Sequence, residues 1–230
     1  MGVCSVLKLP IDQGTTPSQM LDVYVDKVES IGGKKEGTYT VECETYKSND
    51  SIVGISEPRL LHLFLSSETP ASSFAILETN QGSMNRQVTN SVVCDSTFDK
   101  IISNLSNYYQ VKQFHEMKVQ GFKLVWRDFI IKLGTCSMAS QAKGIICEVE
   151  YSASPYPCDC IEIIKDVLQI IIGPNHPFDI HSLLAPHLKE KFTPFFAIHQ
   201  YHEIFNQIKR QSQQTPVTGQ HQQQSAQQQN

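Results

Sequence analysis

The sequence predicts an α+β fold, an antiparallel β-barrel or sheet decorated with helices, on the strength of three observations. Runs of alternating apolar and polar residues recur at strand length, and a strand turns successive side chains to opposite faces. Short connections rich in Gly, Asn and Ser link several of these runs at hairpin length. The helical patterns gather toward the ends of the chain and do not alternate with the strands, as a parallel sheet would require. Strands are expected at 2–9, 38–46, 59–66, 73–78, 111–120, 122–133 and 144–152.

Four helices complete the set. In the first, Thr16 is the cap, Pro17 suits the first turn, Gln19 closes a capping box and Gly32-Gly33 is the stop. Met20, Leu21, Tyr24, Val28 and Ile31 form its apolar stripe. The second starts near Ser96 with Phe98, Ile101, Ile102, Leu105, Tyr108 and Tyr109 at helical spacing, and is expected to lie on a core. The third takes Asp159 as its cap with Glu162 three residues on, carries Ile161, Ile164, Val167, Leu168 and Ile171, and ends at Gly173-Pro174. Apolar residues nearly encircle it, so burial all round is expected. The fourth begins at Thr193-Pro194, sets Ile198, Tyr201, Phe205 and Ile208 along one side, and ends with Lys209 and Arg210, cations that suit the helix dipole. It is expected to dock on its own domain or on a partner.

Composition sets the outer limits. The chain has 230 residues, 40% of them hydrophobic and 18% charged, enough to bury one sizeable core. Half of residues 211–230 are Gln with no aromatic among them, which predicts a single domain over 1–210 and a disordered, Gln-rich tail over 211–230. A net charge of −4 and a pI near 6.0 give no basic field, which argues against direct nucleic-acid binding. The longest apolar run, 161–172, is broken by Glu162, Lys165, Asp166 and Gln169 and is too short for a membrane helix. No basic segment followed by an apolar stretch opens the chain, so no secretory signal is expected, and Val6 stands where a myristoylation pattern wants Ser or Thr. Seven cysteines, an odd number spread widely, suggest reduced thiols inside the cell, with Cys43 and Cys147 acting as small core hydrophobes.

The sharpest chemical signal is an echo. Glu42-Cys43-Glu44 and Glu148-Val149-Glu150 each place two carboxylates on one face of a strand. Inside a barrel, such pairs could hold Mg²⁺ or Mn²⁺ and work as a triphosphate-tunnel phosphohydrolase, given inward Lys and Arg to meet the phosphates. Leu60, Leu61, Leu63, Phe64 and Leu65, like Phe74 to Leu77, are apolar on both faces, which predicts packed strands and no wet tunnel. The bland reading, carboxylates on a solvated or partner-facing surface, is therefore preferred. Cys158 and Cys160 with His176, His181 and His187 have poor zinc spacing, and the segment reads as a Pro-rich loop entering a helix. A Cys–His nucleophile has no local signature, and no Gly-x-Ser-x-Gly, P-loop or dinucleotide pattern is present. His62, between Leu61 and Leu63, reads as a satisfied core residue.

Several stretches taken in order resemble a known family. They are Met1-Gly2-Val3-Cys4, the run from Gly37 through Val41-Glu42-Cys43-Glu44-Thr45-Tyr46, and Asp128-Phe129-Ile130-Ile131-Lys132-Leu133-Gly134-Thr135. Further on come Lys143-Gly144-Ile145, Glu148-Val149-Glu150-Tyr151, Asp159-Cys160, Tyr201 through Phe205-Asn206 and Ile208, and Gln213 to Gly219. Together they resemble the Mediator subunit 20 family, the TRF-proximal proteins; 49–59, 82–89, 175–193 and the extension after Gly219 depart from the pattern. The resemblance implies a helix-decorated antiparallel barrel, similar in fold to triphosphate-tunnel enzymes, without their reaction or any cofactor. It further implies a nuclear, non-enzymatic subunit of the Mediator head module that pairs with subunit 18 in a hetero-oligomer and relays regulatory signals to RNA polymerase II. Tyr201, Phe205 and Ile208 of the last helix are the candidate partner interface.

Overall fold

The computed structural model describes residues 2–49, 59–81, 86–113, 115–174, 176–180, 184 and 188–214. Its strands are β1 (Val3–Leu9), β2 (Lys34–Ser48), β3 (Arg59–Ser66), β4 (Ser72–Gln81), β5 (Arg86–Asp95), β6 (Tyr109–Val111), β7 (Met117–Trp126), β8 (Phe129–Met138) and β9 (Gln141–Tyr151). Helix α1 (Pro17–Ser30) follows β1, α2 (Phe98–Asn104) follows β5, and α3 (Pro157–Ile172) and α4 (Pro194–Gln214) close the chain. All pairings are antiparallel in one sheet of order β1-β9-β8-β7-β2-β3-β4-β5, with the short β6 beside β2. The sheet curls into a half-barrel whose free edges are β1 and β5. A single helix shows how far it curls: Gln200 of α4 bonds β1, and His199 beside it reaches Ser91 of β5.

Helices cover both faces. On the convex side α1 and α3 pack over β1, β8 and β9, where Ile131, Leu133, Cys147 and Val149 are fully buried. Over β2, β3 and β4, the convex face carries a second, smaller core of Tyr46, Leu61, Leu63, Ala75 and Ile102, closed by α2 and β6. The concave side holds Phe64, Phe74, Ile76 and Glu148 and is filled by α4. β9 is buried on both faces, which is why six consecutive residues from Ile145 to Glu150 are inaccessible despite their alternating pattern.

Local chemistry explains most boundaries and corrects several expectations. Thr16 caps α1 through the Gln19 amide, with the reciprocal bond from Gln19 in place. The expected break at Gly121 is absent; β7 runs straight through it and turns at Arg127-Asp128, with Arg127 at φ 54. Gly121 serves close approach instead, since a Cβ there would sit 2.0 Å from the Leu133 carbonyl oxygen across the ladder. Helix α3 starts at Pro157, one turn's edge earlier than expected, and Asp159 accepts a bond from Ser154 Oγ at 2.8 Å within its first turn. Ile163 and Ile170 of α3 are exposed, so its burial is not all round. Helix α2 is only seven residues long, and of its stripe Ile102 alone is buried while Ile101, Leu105 and Tyr108 face solvent. Strand β5, too polar to announce itself, was not expected. Helix α4 passes the expected boundary at 210 and continues to Gln214; residues 215–230, where most of the Gln-rich tail is expected, lie outside the described residues. No helix among the described residues is long and apolar enough to cross a membrane.

Candidate functional site

The concave face of the sheet is occupied by α4. Residues directly opposed across an antiparallel ladder share a face, so the register assigns every side chain. Glu148 opposes Val6 and Lys132, and Lys132 opposes Lys123, which opposes Gly37. Gly37, Tyr39, Val41 and Cys43 therefore line the same concave face as Glu148 and Glu150. Glu42 and Glu44 lie on the other face. The two echoing motifs never meet.

Glu42 pairs with Lys118 at 2.7 Å on the convex side, both side chains 39% exposed, and Glu44 accepts the Tyr46 hydroxyl. Glu148 and Glu150 contradict the expectation of a solvated or partner-facing surface. The Glu148 carboxylate is 4% exposed, accepts Lys132 Nζ at 2.9 Å and Tyr201 Oη at 2.8 Å, and Glu150 accepts the Gly2 amide at 2.7 Å. Burial opposes the charge on Lys132, but the Glu148 carboxylate outweighs it and holds the ammonium above its ordinary pKa. Glu68, from the β3–β4 turn, bridges Lys123 at 2.9 Å and Lys132 at 3.6 Å and relieves the repulsion of two opposed lysines. Inward cations are thus present, yet each is consumed by an internal partner. Tyr201 itself is held protonated, first by burial and then by the Glu148 charge.

Helix α4 engages the whole curve. Gln200 accepts the Val6 amide at 2.7 Å and donates to the Cys4 carbonyl at 3.2 Å, pairing as a strand would with the free edge of β1. Phe205 stacks on Phe64 with centroids 5.9 Å apart, and Phe195 meets Phe74 edge-on. Tyr201, Phe205 and Ile208, expected at a partner interface, are buried in the chain's own core. The physical reason is that the hollow offers them apolar walls on β2, β3 and β4, so the helix docks at home. One turn away, His202 Nε2 approaches Glu78 Oε1 at 3.1 Å and His62 Nε2 approaches Glu78 Oε2 at 3.3 Å. Burial lowers the His62 pKa and keeps the ring neutral, and despite the same burial the two imidazoles hold the Glu78 carboxyl well below the ordinary range. Lys209 Nζ donates to Thr45 Oγ1, which sits 3.1 Å from His62 Nδ1.

No thiol here is poised for attack. Burial raises the pKa of Cys43 and Cys136 to about 12 and of Cys160 to about 11, and a hydrogen bond to Asp159 raises that of exposed Cys158. Cys158 and Cys160 point apart, one exposed and one buried, and His176 is exposed; His181 and His187 lie outside the described residues. Lys132, Glu78, His202 and Gln200 were not singled out from the sequence. A signal existed for Glu78, which shares strand parity with Phe74 and Ile76 and so belongs to a buried face.

Known proteins are similar to this chain over most of its length. Residues 1–206 match the family described as TATA-binding related factor (TRF) of subunit 20 of Mediator complex. The chain belongs to the Mediator subunit 20 family. Mediator of RNA polymerase II transcription subunit 20 of Homo sapiens is 30% identical over 221 residues, covering 95% of this chain and 99% of that one. Its counterpart from Anopheles gambiae is 31% identical, covering 92% and 96%. Among solved structures, the Schizosaccharomyces pombe Mediator head module contains a chain similar at a TM-score of 0.35 and 13% identity, covering 77% of this chain and 94% of that one. A putative adenylyl cyclase from Hippeastrum with a dominant triphosphatase activity is similar at 0.43 and 10% identity, covering 84% and 98%. In this chain the hollow of the half-barrel is filled by α4.

Proposed function

We propose that this protein is a non-catalytic, nuclear subunit of the Mediator head module that works by contact, pairing with subunit 18 and helping to relay regulatory signals to RNA polymerase II. The family match over residues 1–206 carries the reading. The occupied hollow supports it, because α4 takes the space in which a tunnel enzyme would bind a polyphosphate. A metal-dependent phosphohydrolase using Glu42, Glu44, Glu148 and Glu150 would need all four carboxylates in one cavity, and the register puts them on opposite faces.

With Tyr201, Phe205 and Ile208 buried, the partner surface is to be sought elsewhere. Val92 and Val93 are exposed on β5, the free edge strand, and Ile101 is exposed on α2, which follows it. A free edge with apolar neighbours is a surface that an assembly would cover. Co-purification with subunit 18 tests the proposal. One-to-one association that survives gel filtration and is weakened by Val92→Lys with Ile101→Asp is the expected result. No association, combined with Mn²⁺-dependent triphosphatase turnover that Glu148→Ala abolishes, would overturn it.

A further inference from the structure

We propose that His62, Glu78, His202 and Asn206 form a structural zinc site that pins α4 into the concave face. The four residues come from three elements. His62 is on β3, Glu78 on β4, and His202 and Asn206 are four apart on one side of α4. His62, Glu78 and His202 are 2%, 7% and 5% exposed, and their donor atoms lie within 4.8 Å of one another.

The donors are close enough to gather round one ion, the two imidazoles approaching different oxygens of the Glu78 carboxylate. Tetrahedral zinc with bonds of about 2.0–2.1 Å sets neighbouring ligand atoms roughly 3.3 Å apart. Here His202 Nε2 to Glu78 Oε1 is 3.1 Å, His62 Nε2 to Glu78 Oε2 is 3.3 Å, and the Asn206 amide is 3.2 Å from His202 Nε2 and 3.3 Å from Glu78 Oε1. Two imidazoles, one carboxylate and one amide form a nitrogen and oxygen set that zinc accepts, and four protein donors make a closed, structural site.

Hydrogen bonding does not close the cluster by itself. His62 Nε2 is buried and lies out of line for a bond to Glu78, leaving it with no partner. His202 Nε2 cannot both donate to Glu78 and accept from Asn206. A cation among them satisfies both nitrogens at once through their lone pairs, and half a turn of the Asn206 amide presents Oδ1 in place of the nitrogen. Thr45 Oγ1, 3.1 Å from His62 Nδ1, can accept that proton and leave Nε2 free to ligate, the outer-shell arrangement usual for zinc-bound histidine. Lys209 donates to Thr45 and so stands behind the ring, away from the ion.

The full chain, stripped with a chelator and titrated with Zn²⁺, tests the site by calorimetry, elemental analysis and thermal unfolding. The expected outcome is one bound zinc per chain, a rise in Tm, loss of binding in His202→Ala, and affinity weakened about 10- to 100-fold in Thr45→Val. Should the ligand variants fail to fold, Co²⁺ in the wild-type chain decides: intense tetrahedral visible bands without a thiolate charge-transfer band support the site. No stoichiometric metal and no change in Tm, undiminished binding in His202→Ala, or a thiolate band, which would place the ion on cysteines, would each overturn it.

Discussion

Glu42 and Glu148, the leading carboxylates of two nearly matching strand sequences, stand on opposite faces of one sheet. Counting along the ladder from Glu148 through Lys132 and Lys123 to Gly37 lands on the parity of Tyr39 and Val41, not on that of Glu42. The same Glu-x-Glu pattern therefore does different physical work in its two occurrences. Glu42 makes a half-exposed ion pair with Lys118, while Glu148 anchors the buried junction of β8, β9 and α4.

A sharp difference in stability follows. Removing one partner of a buried, hydrogen-bonded ion pair leaves an uncompensated charge and costs about 3–5 kcal/mol. Glu148→Ala, which leaves the buried Lys132 to the more distant, part-exposed Glu68 at 3.6 Å, is expected to lower unfolding free energy toward the low end of that range in urea titrations. An exposed pair contributes about 0–1 kcal/mol, so Glu42→Gln should fall within that range. Equal effects would contradict the register.

Gly121 and Gly37 offer a second contrast. A Cβ on Gly121 collides with the β8 backbone at 2.0 Å, whereas one on Gly37 meets nothing within 4 Å. Overpacking costs about 1–3 kcal/mol. Gly121→Ala should lose at least that much in chemical denaturation, and Gly37→Ala should be close to neutral or slightly stabilising.

The docking of α4 is testable at its centre. Phe205 is fully buried against Phe64 and Tyr201, and truncating a buried Phe costs about 3–5 kcal/mol. Phe205→Ala should show that loss. Limited proteolysis should then cleave within α4 before the strands, because the helix is the element released.

Acid should loosen the fold through histidine. Burial, followed by the charges of Lys112 and Lys209, lowers the His115 pKa from 6.5 to about 4. The unfolded chain therefore binds this proton more readily, so the contribution is fully present above pH 6.5 and is lost as pH falls toward 4. Replacing His115 with Gln should flatten the stability profile across that window; an unchanged profile would show that His115 titrates normally.

Much of the fold was legible because its signals are local. The capping box at Thr16 and Gln19, the span of β3 and the apolar stripe of α4 each rest on neighbours in sequence, and all three stand in the structure. Gly121 misled because glycine marks both turns and close approach, and only the facing backbone of β8 distinguishes the two. Strand β5 was missed because its pairing with β4, not its composition, holds it in place. The charged junctions were hidden for a related reason: Lys132 and Glu148 are sixteen residues apart and Tyr201 lies fifty-three beyond Glu148, and no local pattern connects them.

By itself the sequence determined the α+β class, the amphipathic terminal helix and the family, because periodicity, capping and an ordered set of matching segments are properties of the chain read in line. Only the tertiary structure decided which face each strand shows and what fills the hollow. Strand parity is fixed by register, and register depends on pairings between distant segments. The echoing Glu-x-Glu pairs, alike in spacing, were separated by that register alone.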